Sequence, residues 1–210
     1  MEVYNSEEQQ VEAIKSWWKE NGKSIIAGVV IGFIGLFGWR YYNSYVQTKS
    51  EAGAIEFASV QKLLSEQKDK SFPQVEAFIS QHSGDVYGDL ISLALANSAV
   101  QLNKLDVASA QLLNVVQHSK DDELKAVASL RLARIYVAEN KTADALTLLN
   151  TIQSPAYKSS VEEIKGDAFV KSGDVAKAKS AYEAALAASS NNQVNPLLKM
   201  KLADLTPSQK

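Results

Sequence analysis

The side chains best equipped for chemistry are scarce in this sequence. It has two histidines, His82 and His118, each inside a polar run: His82-Ser83-Gly84-Asp85 and His118-Ser119-Lys120-Asp121-Asp122. Neither run brings the further imidazole or thiolate ligands that a typical metal centre needs. Cysteine is absent, which excludes disulfides, thiol nucleophiles and cysteine-based metal sites and suits an oxidising compartment. The 24 acidic residues are scattered over helix positions that face solvent, so they read as a solvated surface rather than as carboxylate pairs for acid–base catalysis. No nucleophile elbow, phosphate-cradling glycine loop or kinase motif set occurs. Asn140-Lys141-Thr142 matches a glycosylation acceptor, but the repeat described below also accounts for Asn140. No cofactor, no metal and no enzymatic activity are expected. A net charge of −2 without a basic block argues against nucleic acid as a partner. What remains is binding chemistry, positioned by helices. Only four prolines and ten glycines occur, while Ala, Leu, Lys, Glu and Gln are plentiful, so the chain is expected to be all-α.

The organising stretch is residues 24–45, SIIAGVVIGFIGLFGWRYYNSY. It carries no charge until Arg40 and is rich in Ile, Val, Phe and Gly, and about 20 mostly apolar residues cross a bilayer core. Trp39, Tyr41, Tyr42 and Tyr45 suit the headgroup zone, and Arg40 can snorkel outward. More than twenty residues precede this run and no small-residue cleavage site follows it, so it reads as an uncleaved signal anchor rather than a removed leader. Lys15, Lys19 and Lys23 on the leading side favour an amino terminus in the cytoplasm, with the remaining domain across the membrane. Gly28, Gly32 and Gly35 recur at i, i+4 and i+7 and share one helix face. Such a face lets another membrane helix approach closely, although glycine is also simply common in membrane helices.

Before the anchor, residues 1–23 form an amphipathic cytoplasmic segment. Ser6-Glu7-Glu8-Gln9 resembles a capping box. Val11, Ile14, Trp17 and Trp18 make an apolar face, and Asn21-Gly22 is a natural helix stop. The face could lie in the lipid headgroup layer or pack on a protein partner; both readings stand. After the anchor, residues 46–64 continue in helix-favouring residues. A polar turn follows at Gln67-Lys68-Asp69-Lys70. A second helix then covers residues 71–81, with Pro73 in its first turn and Val75, Phe78 and Ile79 inward.

From about residue 88 the sequence repeats itself. Ala96, Ala99, Asn103, Ala108, Leu112 and Val115 align with Ala133, Tyr136, Asn140, Ala145, Leu149 and Ile152. They align again with Gly166, Phe169, Gly173, Ala178, Tyr182 and Ala185, which Leu186 follows. The first small residues, Ala96, Ala133 and Gly166, lie 37 and 33 residues apart. This resembles the tetratricopeptide repeat, a helix–turn–helix unit of about 34 residues. The logic is steric: small residues let paired helices approach, and Gly or Asn takes the left-handed conformation that closes the first helix. The extra residues of the longer interval are assigned to the turn at His118–Asp122. The hairpin over residues 46–82 caps one end of repeats at about 88–189. Residues 190–210, with Leu197, Leu198, Met200, Lys201, Leu202 and Leu205 after Pro196, cap the other. The first helices of such units line a concave groove. By phase it presents Leu90, Leu93, Asn97, Val100 and Gln101, then Val127, Leu130, Arg134 and Val137, then Ser160, Glu163, Asp167, Val170 and Lys171. Its first two parts are apolar enough to bind an extended or helical polypeptide, unless the helix over residues 46–64 folds into it.

The whole layout resembles the YfgM family, ancillary subunits of the bacterial SecYEG translocon. The resemblance is carried by Gly38-Trp39-Arg40-Tyr41-Tyr42-Asn43-Ser44, by Glu20-Asn21-Gly22-Lys23, and by Leu124-Lys125-Ala126-Val127 through Leu130-Arg131-Leu132-Ala133-Arg134. It implies a single N-terminal transmembrane helix over residues 24–45 and a tetratricopeptide-like solenoid over residues 46–210 in the periplasm. It implies as partners SecYEG, the membrane-anchored chaperone PpiD, unfolded or nascent secreted polypeptides, and membrane lipid. The implied task is passing newly translocated chains to periplasmic chaperones. The alternative from the residues is a membrane-anchored regulator whose cytoplasmic N-terminal helix binds a stress-response protein.

Overall fold

The computed structural model describes residues 7–189 and 196–205; Ser6 and the polar loop at Asn191-Asn192-Gln193 lie outside the described residues. Every regular element among them is helical: α1 (Glu7–Gln67), α2 (Phe72–Gln81), α3 (Val86–Gln101), α4 (Leu105–His118), α5 (Asp122–Ala138), α6 (Thr142–Leu149), α7 (Lys158–Lys171), α8 (Val175–Ala188) and α9 (Pro196–Asp204). The chain divides into two units, Met1–Ala54 and Ile55–Lys210.

In the first unit, the stretch Gln10–Tyr45 of α1 is long and apolar enough to cross a membrane. Its side chains have no protein over them: Ile31 is 70% exposed, Leu36 70% and Phe37 66%. Apolar surface on that scale requires another covering. Trp18 and Trp39 are separated by about 32 Å at a rise of about 1.5 Å per residue, close to the roughly 30 Å of a hydrocarbon core. The expected helix stop at Asn21-Gly22 does not occur, because α1 runs through it. The Asn21 amide donates to the Trp17 carbonyl at 3.0 Å, and Gly22 lies under the Trp18 indole, which would be 3.2 Å from an added Cβ. Both residues are thus held inside the helix. The faces of Gly28, Gly32 and Gly35 are open, with nothing within 4 Å of an added Cβ.

In the second unit, Phe57, Val60 and Leu64 at the end of α1 pack with Val75, Phe78 and Ile79 of α2 into a core shared with α3, α4 and part of α5. Asp85 joins α2 to α3. Its carboxylate accepts the Tyr87 and Gly88 amides at 2.9 Å and contacts the His82 Nδ1 at 2.8 Å. Burial alone would raise the Asp85 pKa, but the Gly88 amide and the His82 ring hold it below the ordinary carboxylate value. His82 also stacks on Phe78 with ring centroids 4.2 Å apart and reaches Glu56 of α1 at 3.5 Å. It therefore works as a structural rivet.

Three helix pairs follow, α3–α4, α5–α6 and α7–α8, and their turns are superimposable in chemistry. Asn103, Asn140 and Gly173 have φ of 56°, 64° and 81°. The next amide in each case bonds six-to-one back into the first helix: Lys104 to the Ala99 carbonyl at 2.8 Å, Lys141 to Tyr136 at 2.8 Å, and Asp174 to Phe169 at 2.9 Å. This is the Schellman closure that Gly and Asn favour. The small residues do as their positions demand. Ala96 is 2% exposed, and Ala99, Ala108, Ala133, Ala145, Ala168, Ala178 and Ala185 are fully buried or nearly so. The extra residues of the longer interval are not in the turn at His118–Asp122. They lengthen the helices on both sides of it: α4 has 14 residues against 8 in α6, and α5 has 17 against 14 in α7, with Asp121 capping α5 early by accepting the Glu123 and Leu124 amides.

The packed side chains form separate clusters. The second joins α5, α6 and α7 through Leu130, Val137, Leu149, Val161 and Ile164. The third joins α8 to α9 through Tyr182, Ala185 and Leu198. Tyr136 and Leu148 touch both of the first two. Gly166 sets the spacing of α7 and α8, since an added Cβ would lie 2.2 Å from the Tyr182 ring. That ring cannot swing aside freely, because its hydroxyl donates to Asp167 at 2.7 Å. Gly166→Ala should therefore lower stability by about 1–2 kcal/mol despite the better helix propensity of alanine. The measurement is urea unfolding followed by circular dichroism, with the midpoint falling at unchanged slope.

Candidate functional site

Helix α4 packs against both α3 and α5, and the space between α3 and α5 is an open depression of about 470 Å³. Its base is apolar and belongs to the core: Ala96 from α3, Leu112 from α4 and Ile135 from α5, exposed by 2%, 1% and 6%. Leu105 and Ala138 complete the base, and the rim is formed by Asn97, Val100, Arg131 and Arg134, all exposed. The opening follows from the sequence. Ala96 and Ala138 are too small to fill the gap, while Val100, 44% exposed, is too short to bridge it.

The residues expected along a concave groove divide in the structure. Asn97, Val100 and Arg134 come together at this depression. Leu90 and Gln101 are exposed on α3 but outside it, and Val127 is half-buried. Leu93, Leu130 and Val137 are buried at 7%, 6% and 7% exposure inside the first and second clusters. They hold the helices together and offer a ligand little surface. Arg131 was not among the expected residues, although its i, i+3 relation to Arg134 in an apolar setting was visible. No residue of α1 lines the depression; the end of α1 packs instead at Tyr87, where Phe57 meets it at 5.8 Å between ring centroids.

The last repeat is different. Lys201 of α9 reaches Glu163 and Asp167 of α7 at 2.8 Å each, so these two carboxylates are engaged within the chain. Ser160 is half-buried, and Val170 and Lys171 are exposed. Leu198 anchors α9 at 1% exposure, whereas Leu197 and Met200, expected to cover the last repeat, are 52% and 62% exposed. A helix of nine residues presents too narrow a face to bury them all.

A second hollow, of about 720 Å³, lies where α6 ends early at Leu149. It is lined by Val116, Ala126, Ser129, Leu148 and Ile152 under an acidic edge of Asp122 and Glu123. His118 is not part of either hollow; its Nδ1 donates to the Asn114 carbonyl at 3.1 Å. Among the described residues no group of three His, Asp or Glu side chains could hold a metal ion.

Residues 15–207 match the family described as tetratricopeptide repeat-like domain. The chain is 35% identical over 206 residues to the ancillary SecYEG translocon subunit of Escherichia coli (strain K12), covering 98% of this chain and 100% of that one. It is 34% identical to the protein of the same description from Aggregatibacter actinomycetemcomitans, over 85% of this chain and 88% of that one. The corresponding figures for Haemophilus influenzae are 28%, 95% and 97%. No solved structure matches.

The seat of α9 is directly testable. Burial alone would lower the Lys201 pKa, but the carboxylates of Asp167 and Glu163 hold it above the ordinary lysine value of 10.5. A raised lysine pKa means that the ion contacts stabilise the fold fully below that ordinary value and are lost as pH climbs through the raised one. Lys201→Met should cost about 1–2 kcal/mol and speed hydrogen exchange in α9 while α3–α6 keep their protection. The difference in Tm between wild type and Lys201→Met should hold through neutral pH and shrink only above pH 10.5.

Proposed function

This chain belongs to the YfgM family of ancillary SecYEG translocon subunits, and on that premise we propose that it is a non-enzymatic accessory of that channel in the bacterial inner membrane. The observation that carries the reading is full-length similarity to proteins of that description, joined to an apolar helix at Gln10–Tyr45 whose large apolar side chains are exposed. The helix spans the bilayer with the amino terminus in the cytoplasm, and the repeats stand in the periplasm. Gly28, Gly32 and Gly35, with no neighbours of their own, form the face that docks on the channel. The α3–α4–α5 depression meets a newly translocated polypeptide or a membrane-anchored chaperone of the PpiD kind, and the protein passes emerging chains from one to the other. Nothing in that task needs a reacting group; the surface it uses is an apolar base rimmed by Asn97 and two guanidinium groups.

A second reading is supported by the exposure of Ile14, Trp17 and Trp18, at 67%, 54% and 53%. On that reading the segment before the span binds a cytoplasmic stress-response protein, and the molecule is a membrane-anchored regulator. Deleting residues 2–20 should leave secretion intact and change a stress reporter if the regulator reading holds; the translocon reading, whose contacts lie at the glycine face and the depression, expects the stress reporter to stay unchanged.

Three measurements test the main reading. Alkaline phosphatase fused after Lys210 should be active, because it works only outside the cytoplasm; an inactive fusion overturns the orientation. Replacing Gly28 and Gly32 by Leu should cut recovery of SecYEG after mild detergent extraction by about tenfold, and unaltered recovery removes the glycine face from the proposal. Photocrosslinkers at Val100 and Arg134 should capture secreted chains or a chaperone in living cells, while one at Leu113, exposed on α4 outside the depression, should not.

A further inference from the structure

The charged side chains lining the α3–α4–α5 depression are Arg131 and Arg134, and no acidic residue lines it. Among the described residues neither arginine takes part in an ion pair. Lysines on the same repeats behave otherwise: Lys104 pairs with Asp69 at 3.1 Å, Lys125 with Asp122 at 3.2 Å, and Lys141 with Glu139 at 2.8 Å. The two guanidinium groups stand one turn apart along α5, at i and i+3, and so share one edge of the opening. A guanidinium offers a planar fork of donors that fits a carboxylate in bidentate fashion, and an exposed fork without a partner is free to accept one. Beneath that edge lies the apolar base of Ala96, Leu112 and Ile135.

A ligand that satisfies both parts of this surface must bring a bulky apolar side chain and a negative charge close together. We infer that the depression is a docking site for unfolded polypeptide segments in which an Asp or Glu side chain lies within one to about four residues of a large apolar one. This rests on the translocon-accessory reading for the supply of such segments. It specifies a side-chain carboxylate rather than a chain end, because a chain still being threaded presents its interior and not its terminus. Selectivity comes from the arginine pair, while the apolar base supplies contact area that any greasy segment could use.

The test uses the full chain in phosphatidylcholine nanodiscs and fluorescein-labelled decapeptides read by anisotropy. One peptide carries Phe and Leu with two Glu and an amidated end; a second has Gln for each Glu; a third is the Gln peptide with a free terminal carboxylate. The Glu peptide should bind about tenfold more tightly than the Gln peptide, and the preference should weaken with added salt as screening grows. Arg131→Gln with Arg134→Gln should erase the preference by bringing Glu-peptide affinity down to that of the Gln peptide, and the Lys double variant should keep part of it. Val100→Glu, at an exposed position, should also erase it by supplying an internal carboxylate. Equal affinity for Glu and Gln peptides, no binding by either, a preference indifferent to the arginines, or tight binding of the free-ended peptide alone overturns the inference. Recovery of SecYEG with the wild-type chain tests the underlying reading separately, so failure of one is not mistaken for failure of the other.

Discussion

At the ends of α3, α5 and α7 the chain reverses through one residue in the left-handed conformation, and the following amide reaches five residues back to satisfy a helix carbonyl. The rest of the second unit depends on that closure. It sets the angle at which α4, α6 and α8 return, and it places Ala108, Ala145 and Ala178 against the preceding helices with no exposed surface. Alanine and glycine at these contacts contribute little burial individually, but they let the backbones approach so that Leu112, Leu149, Leu132 and Ile164 can be buried completely. Larger side chains at the small positions would force the helices apart and lose more contact than they added.

The same economy of small residues opens the binding surface. Between α3 and α5 the spacing is set by α4, and the alanines that line the gap do not fill it. At the other end, α9 closes the stack with one leucine and one lysine that donates to two carboxylates. The depression thus keeps its two arginines available, whereas Glu163 and Asp167 of the last repeat are engaged by Lys201. The first unit follows a separate logic, in which apolar side chains are exposed along α1 and require a covering that this chain does not supply among the described residues.

Much of this was readable from the residue types. Asn103, Asn140 and Gly173 stand out because few residues tolerate positive φ, and the alanines around them recur at fixed offsets. The groove was harder. Helix α3, VYGDLISLALANSAVQ, is apolar almost all round, so its periodicity does not say which face is open. Leu93 and Val100 look equivalent in such a pattern, yet one is 7% and the other 44% exposed. The lengthened α5 was hidden as well, since Asp121 and Asp122 are equally good turn and cap residues and only the hydrogen bonds of Asp121 decide between them. At Asn21-Gly22 the local signal for a stop was real but was overridden by an apolar helix continuing on its far side.

The buried side chains of the repeats are divided among clusters, with Tyr136 and Leu148 touching both of the first two and Tyr182 packed in the third beside α9. Stacks coupled only through nearest neighbours need not come apart in a single event. Drawn from its carboxyl end, this molecule should yield stepwise, the small terminal cluster first and the α1–α5 core last. A tug on the far tip would then be absorbed as lost helices long before it loosened the core nearest α1.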